Sequence, residues 1–199
     1  SQPASAAFQL LSSHPNHKQT IVQEGAVTAI TTLLKMSADT TTMRQTLLAL
    51  CLLNAEPDNH MAILQQGIIS ILQTLCASQD EIILDMCSLA YLNMSMSKDS
   101  HRSIISGGAM TSIIALSRAN QNMSTKRRCA VCMYNLCNYD LGLHRMVSDG
   151  IIDALVELLR ANDAQTVQYT VAAMCRIACV EEHAELITAS GAVEVVVEK

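Results

Sequence analysis

The chain has 199 residues, 50% of them hydrophobic and 16% charged, which is enough apolar matter to fill a large buried core. Its net charge of −5, with 13 dispersed Lys and Arg, makes no field of the kind that draws a protein to nucleic acid or anionic lipid, and neither is expected as a partner. The longest uninterrupted apolar run, Leu47–Leu53, falls far short of the roughly 20 residues of a membrane-spanning helix, and no basic-then-apolar leader opens the chain. These features predict a soluble protein with no membrane insertion, cytoplasmic or else nuclear or cytoskeletal. The eight cysteines sit mostly inside apolar helical stretches and read as reduced thiols used as small core residues.

In chain order the predicted elements repeat. Residues 4–12 read as the long helix of an incomplete first unit (1–14), with Ala7 and Leu11 in register with a later small-then-large pair, Ala49 and Leu53. The next unit, 15–56, has a short helix around Ile21 and Val22, a corner at Gly25, a longer helix carrying Ile30, Leu33 and Leu34, and a third helix with Ala49 and Leu53. The same order returns over 57–97 (Ile63 and Leu64, Gly67, Leu72 and Leu75, then Ala90 and Met94) and 98–139 (Ile104 and Ile105, Gly108, Ile113 and Leu116, then Cys132 and Leu136). It returns again over 140–180 (Met146 and Val147, Gly150, Leu155 and Leu158, then Ala173 and Ile177). Residues 181–199 hold a first helix, a corner at Gly191 and a second helix cut short. The corner glycines stand 42, 41, 42 and 41 residues apart. A period of this length signals stacked helical repeats, each hiding its apolar flanks against its neighbours. Two incomplete end repeats therefore predict self-association of the isolated chain.

Three helices per repeat of about 42 residues with a glycine corner, together with third-helix segments such as CSLAYLNMS (87–95) and CAVCMYNLC (129–137), resemble the armadillo repeat family over essentially the whole chain. The resemblance implies an all-α fold, an α-α superhelix or α-solenoid of three-helix repeats, acting as a non-enzymatic scaffold whose third helices line a concave groove for an extended partner segment. It also implies that an asparagine on each third helix holds the partner's backbone. Asn93 and Asn135 match that position, while Leu52 and Arg176 depart from it. Four residues earlier, where importin alpha carries tryptophan, stand Leu48, Leu89, Val131 and Ala172, and the chain has no tryptophan to stack a lysine stem. One turn further back are Arg44, Asp85, Arg127 and Gln168, with Lys126 and Arg128 beside Arg127, a surface suited to an acidic or apolar guest.

Other chemistry finds less support. His17, His60, His101, His144 and His183 recur once per repeat ahead of the corner glycines, and a ladder with rungs about 10 Å apart cannot converge on one metal ion. Cys129, Cys132, Cys137 and His144 have a superficial zinc spacing, yet the cysteines fall on small-residue columns of the third helix. LVELL (155–159) and LLALCLL (47–53) look like docking helices but fall in register as core stripes. No phosphate-binding loop and no supported nucleophile, base and acid set is present, so no catalysis, metal or cofactor is expected. The rival readings are a rigid segment of a larger cytoskeletal or ciliary assembly, contacting through end faces and convex surface, and, more remotely, thiol chemistry at Cys129–Cys137.

Overall fold

The computed structural model describes residues 6–7, 18–119 and 122–197, so the helix expected at 4–12 and His17 lie outside the described residues, apart from a helical Ala6 and Ala7. Regular structure among the described residues is helical throughout. The chain divides into two compact units, residues 1–103 and 104–199. The first contains α1 (Lys18–Gln23), α2 (Ala26–Met36), α3 (Thr40–Leu53), a 3₁₀ turn at Pro57–Asn59, α4 (His60–Gln65), α5 (Ile68–Leu75) and α6 (Glu81–Ser95). The boundary falls within α7 (Lys98–Ser106). The second contains α8 (Ala109–Ala119), α9 (Met123–Leu136), a 3₁₀ turn at Asp140–Gly142, α10 (Leu143–Ser148), α11 (Ile151–Leu159), α12 (Ala164–Ile177), α13 (Glu181–Ala189) and α14 (Ala192–Val197). Each expected first, second and third helix within the described residues is present, including the second helix expected after Gly191, at Ala192–Val197.

The corner glycines do what their spacing implied. Gly25, Gly67, Gly108, Gly150 and Gly191 all adopt positive φ, from 72° to 93°, ending a first helix and starting a second. At Gly67 the amide returns to the carbonyl of Leu64 at 3.0 Å, which closes the last turn of α4 before the chain swings into α5. The aperiodic Gly142 has a different reason: a Cβ there would stand 2.5 Å from Ile105 Cδ1.

Third helices are seated between two walls. In the first unit α3 lies against α2 and α6; in the second, α9 lies against α8 and α12, and α12 also rests on α11. The small-then-large stripe fills these seams. Ala49, Leu53, Ala90, Met94, Leu136, Ala173 and Ile177 are wholly buried, and Cys132 is 1% exposed. Burying each large member contributes on the order of 1.5–3 kcal/mol, and the small member four residues back lets the helices approach. The LVELL stripe is core as expected, with Leu155, Val156, Leu158 and Leu159 buried and Glu157 turned outward to Arg118. The cysteines divide: Cys51, Cys87, Cys129, Cys132 and Cys137 are buried, Cys76 is half-buried, and Cys175 and Cys179 are exposed rather than part of the core.

Each of α3, α6, α9 and α12 starts at a polar cap. Asp39 accepts from the amide of Thr42 at 2.9 Å, Asp80 from Ile82 and Ile83, Asn122 from Ser124, and Asp163 from Thr166. Such a cap stabilises a helix by about 1 kcal/mol.

The corner can be tested by substitution. A Cβ at Gly67 meets nothing within 4 Å, so the cost of Gly67→Ala is conformational alone. It should lower the unfolding free energy by about 1 kcal/mol, and Gly67→Asn by less, because asparagine tolerates positive φ. Equal losses for the two variants in urea titrations would show that space rather than backbone conformation sets the requirement.

Candidate protein-binding face on the third helices

In the first unit Arg44, Leu48 and Leu52 lie along α3, and Asp85, Leu89 and Asn93 along α6; all six are half-buried. In the second, Arg127, Val131 and Asn135 lie along α9, and Gln168, Ala172 and Arg176 along α12; Gln168 and Arg176 are exposed and the others half-buried. Within each unit these positions stand next to the wholly buried stripe, at the edge between core and solvent. The Asn93 amide donates from Nδ2 to the carbonyl of Cys51 on the neighbouring third helix at 3.3 Å. That bond fixes the side chain and leaves its Oδ1 as an acceptor.

The arginines bring something the sequence reading had missed. Arg44 grips Asp80, the cap of the next third helix, through Nε and Nη2, and Arg127 grips Asp163 in the same two-pronged way, with Nε to Oδ2 at 3.0 Å and Nη2 to Oδ1 at 2.6 Å. Both pairs span 36 residues and join consecutive repeats inside one unit. The hydrogen bonds from Arg44 hold the Asp80 carboxyl below the usual carboxylate range, joined by the amides of Ile83 and Ile82. Those from Arg127 lower Asp163 further, with the hydroxyl and amide of Thr166 adding to the effect. The aspartate side chains are 15% exposed and the arginines about 41–42%, so each guanidinium keeps an open face. A signal was available in the sequence: Asp39, Asp80, Asn122 and Asp163 recur at the repeat period just ahead of the third helices.

Two tyrosines also belong to this face in the second unit. The rings of Tyr134 on α9 and Tyr169 on α12 sit 5.8 Å apart at 52°, and both are half-buried, Tyr134 adjoining Asn135. Such tilted pairs offer both an apolar ring surface and a phenol at the solvent edge.

The histidines and cysteines resolve into structural roles. His60 Nε2 lies 2.8 Å from the carbonyl of Asn54, and His101 Nε2 2.7 Å from that of Ser95, so these rings close the ends of third helices. The evenly spaced ladder fails at its last rungs, where the rings of His144 and His183 stack 5.9 Å apart. His60 and His101 each follow the large stripe residue by seven positions, but His144 follows Leu136 by eight and His183 follows Ile177 by six. These opposite slips leave His144 exposed and His183 buried with neither ring nitrogen hydrogen-bonded. No group of three or more His, Cys, Asp or Glu among the described residues is placed to hold a metal ion. Burial pushes the Cys137 thiol up to about 12, and a contact with Cys76 together with burial raises that of Cys87, so both are poor thiolates.

The sequence matches no protein-family model and no curated protein sequence. Among solved structures it is similar to computationally designed armadillo repeat proteins for modular peptide recognition, at TM-score 0.87 and 18% identity over 99% of this chain and 84% of that one. The fold is an armadillo-like repeat α-solenoid. An engineered protein from a structural-genomics programme resembles it at TM-score 0.85 and 22% identity, over 99% of this chain and 81% of the other. A designed armadillo repeat protein in complex with the peptide (KR)4 does so at TM-score 0.83 and 17% identity, over 99% and 84%. No helix among the described residues is long and apolar enough to cross a membrane.

The capping pairs make stability sensitive to acid in a definite direction. Both carboxyls are depressed in the folded protein, so their contribution is present above the unfolded carboxylate range near pH 4 and is lost as pH falls below it. Arg127→Met should therefore lose less stability than the parent when urea unfolding is compared at about pH 6 and about pH 3. Identical losses would mean that the Arg127 and Asp163 pair adds nothing to the acid response.

Proposed function

We propose that the chain is a non-enzymatic binding scaffold, cytoplasmic in location, whose third helices hold an extended segment of a partner protein in a concave groove. The observation that carries this reading is the set of half-buried positions alongside a sealed core, with an amide held in place at Asn93 and its counterpart at Asn135. An amide offers both donor and acceptor to a strand-like backbone regardless of the guest's side chains. The complex of a similarly folded designed protein with the peptide (KR)4 supports peptide binding by such a scaffold.

The charge of the second unit narrows the guest. Lys126, Arg128 and Arg176 accompany Arg127 on α9 and α12, and Asp163 is the acid that Arg127 already holds. A basic peptide such as the (KR)4 bound by the designed neighbour is disfavoured here, while acidic side chains meet the open faces of the guanidiniums. An extended peptide of alternating Asp and Glu should bind more tightly than (KR)4 in fluorescence anisotropy at low ionic strength, and the preference should shrink as salt is added. The combined variant Asn93→Ala, Asn135→Ala, Arg176→Glu should weaken the acidic peptide at least tenfold with helicity unchanged by circular dichroism. Undiminished binding would move the site off the third helices. Arg127 is left intact in this variant because its loss would also release the α12 cap.

A further inference from the structure

Two second helices of the second unit end at a charged cleft. It has a volume of about 240 Å³ and is lined by Ser117 and Arg118 at the end of α8, Lys126 on α9, and Glu157, Leu158 and Arg160 at the end of α11. Glu157 is already engaged: its carboxylate oxygens accept from Arg118 Nε at 3.0 and 2.9 Å, and Oε1 also accepts from an Nη at 2.8 Å. Lys126 and Arg160 have no ion-pair partner among the described residues. Three cations against one carboxylate leave the cleft two positive charges in excess. Asp153, one turn back on α11, acts on Arg118 at longer range but does not line the cleft.

Packing does not ask for these charges. The first unit builds a similar cleft of about 270 Å³ at the ends of α2 and α5, with Lys35 where Arg118 stands and Thr74 where Glu157 stands. The places of Lys126 and Arg160 are taken there by Met43 and Ala77. A cation at the end of α8 or α11 suits the negative end of the helix dipole, but Lys126 is the fourth residue of α9, near the positive end of that helix. Arg127 and Arg128 follow it, and the cap of α9 is the neutral Asn122, where α3, α6 and α12 have aspartates. Positive charge is thus concentrated where the backbone opposes it, beside a cleft that the fold can build without it.

We propose that this cleft binds a phosphate monoester group, with Lys126 and Arg160 as its charge partners and Arg118, steadied by Glu157, as a further donor. The excess of two charges matches such a group, which carries close to two negative charges at about pH 8, whereas a carboxylate would leave one cation unpaired. A phosphorylated side chain and a small phosphorylated molecule share this chemistry. Val131, Asn135 and Arg176 do not line the cleft, so its occupancy is independent of the use proposed for the third-helix face.

Equilibrium dialysis with radiolabelled inorganic phosphate at about pH 8 and low ionic strength provides the test. The protein should take up one phosphate per chain with a millimolar or tighter dissociation constant, and added salt should weaken the binding. Lys126→Met with Arg160→Met should weaken it at least tenfold, and Arg160→Gln alone, at an exposed position, at least threefold. Lys35→Met with Lys98→Met removes the same charge from the first unit and should leave binding unchanged. All these variants keep the bridge between Arg118 and Glu157, and circular dichroism records their helicity. Acetate should not displace the phosphate, whereas a blocked phosphoserine and glycerol phosphate should; whichever of the two displaces it at lower concentration tells a phosphorylated polypeptide from a small molecule. Uptake that fails to saturate, that falls equally in the two paired variants, or that acetate reverses as readily as the phosphate esters do overturns the proposal.

Discussion

Within each unit a third helix needs two neighbours to hide it. The small-then-large stripe is too wide for one partner, so α6 rests on α3 and α5, and α12 on α9 and α11. This requirement explains the period, because the chain must fold back by the same path before each long helix can be seated. It also explains the corner, since a first and a second helix can meet at that angle only where the backbone turns through positive φ. A site on such a scaffold consists of what is left over: positions on the long helices that neither flank covers.

Much of this was legible in the sequence because it depends on backbone conformation and burial, which recur and leave periodic traces. Gly25, Gly67, Gly150 and Gly191 are spaced by a conformational need that few other residues meet, and Ala49, Ala90, Cys132 and Ala173 by a packing need that excludes larger ones. The partners of Arg44 and Arg127 were not legible in that way. Their capping aspartates lie in the next repeat, and a charge at a helix edge reads as a solvated residue until the superposed repeats show what stands opposite it. The His144 and His183 stack escaped for the reverse reason, since periodic reasoning assumes even spacing and these two slip by one residue in opposite senses. Tyr134 and Tyr169 stand 35 residues apart, off the repeat period, and meet across the seam between α9 and α12.

The capping arginines tie the architecture to the proposed binding face. Arg127 satisfies the carboxylate that caps α12, and its open edge would add to the surface that the proposal offers to a guest. The same holds for Arg44 and α6 within the first unit. Opposite charge from a guest therefore competes with, rather than simply adds to, an existing pair, and the gain per contact is that of a shared guanidinium. On the proposed reading, a groove built this way would bind an acidic segment through several modest contacts, with register set by the amides, which carry no net charge.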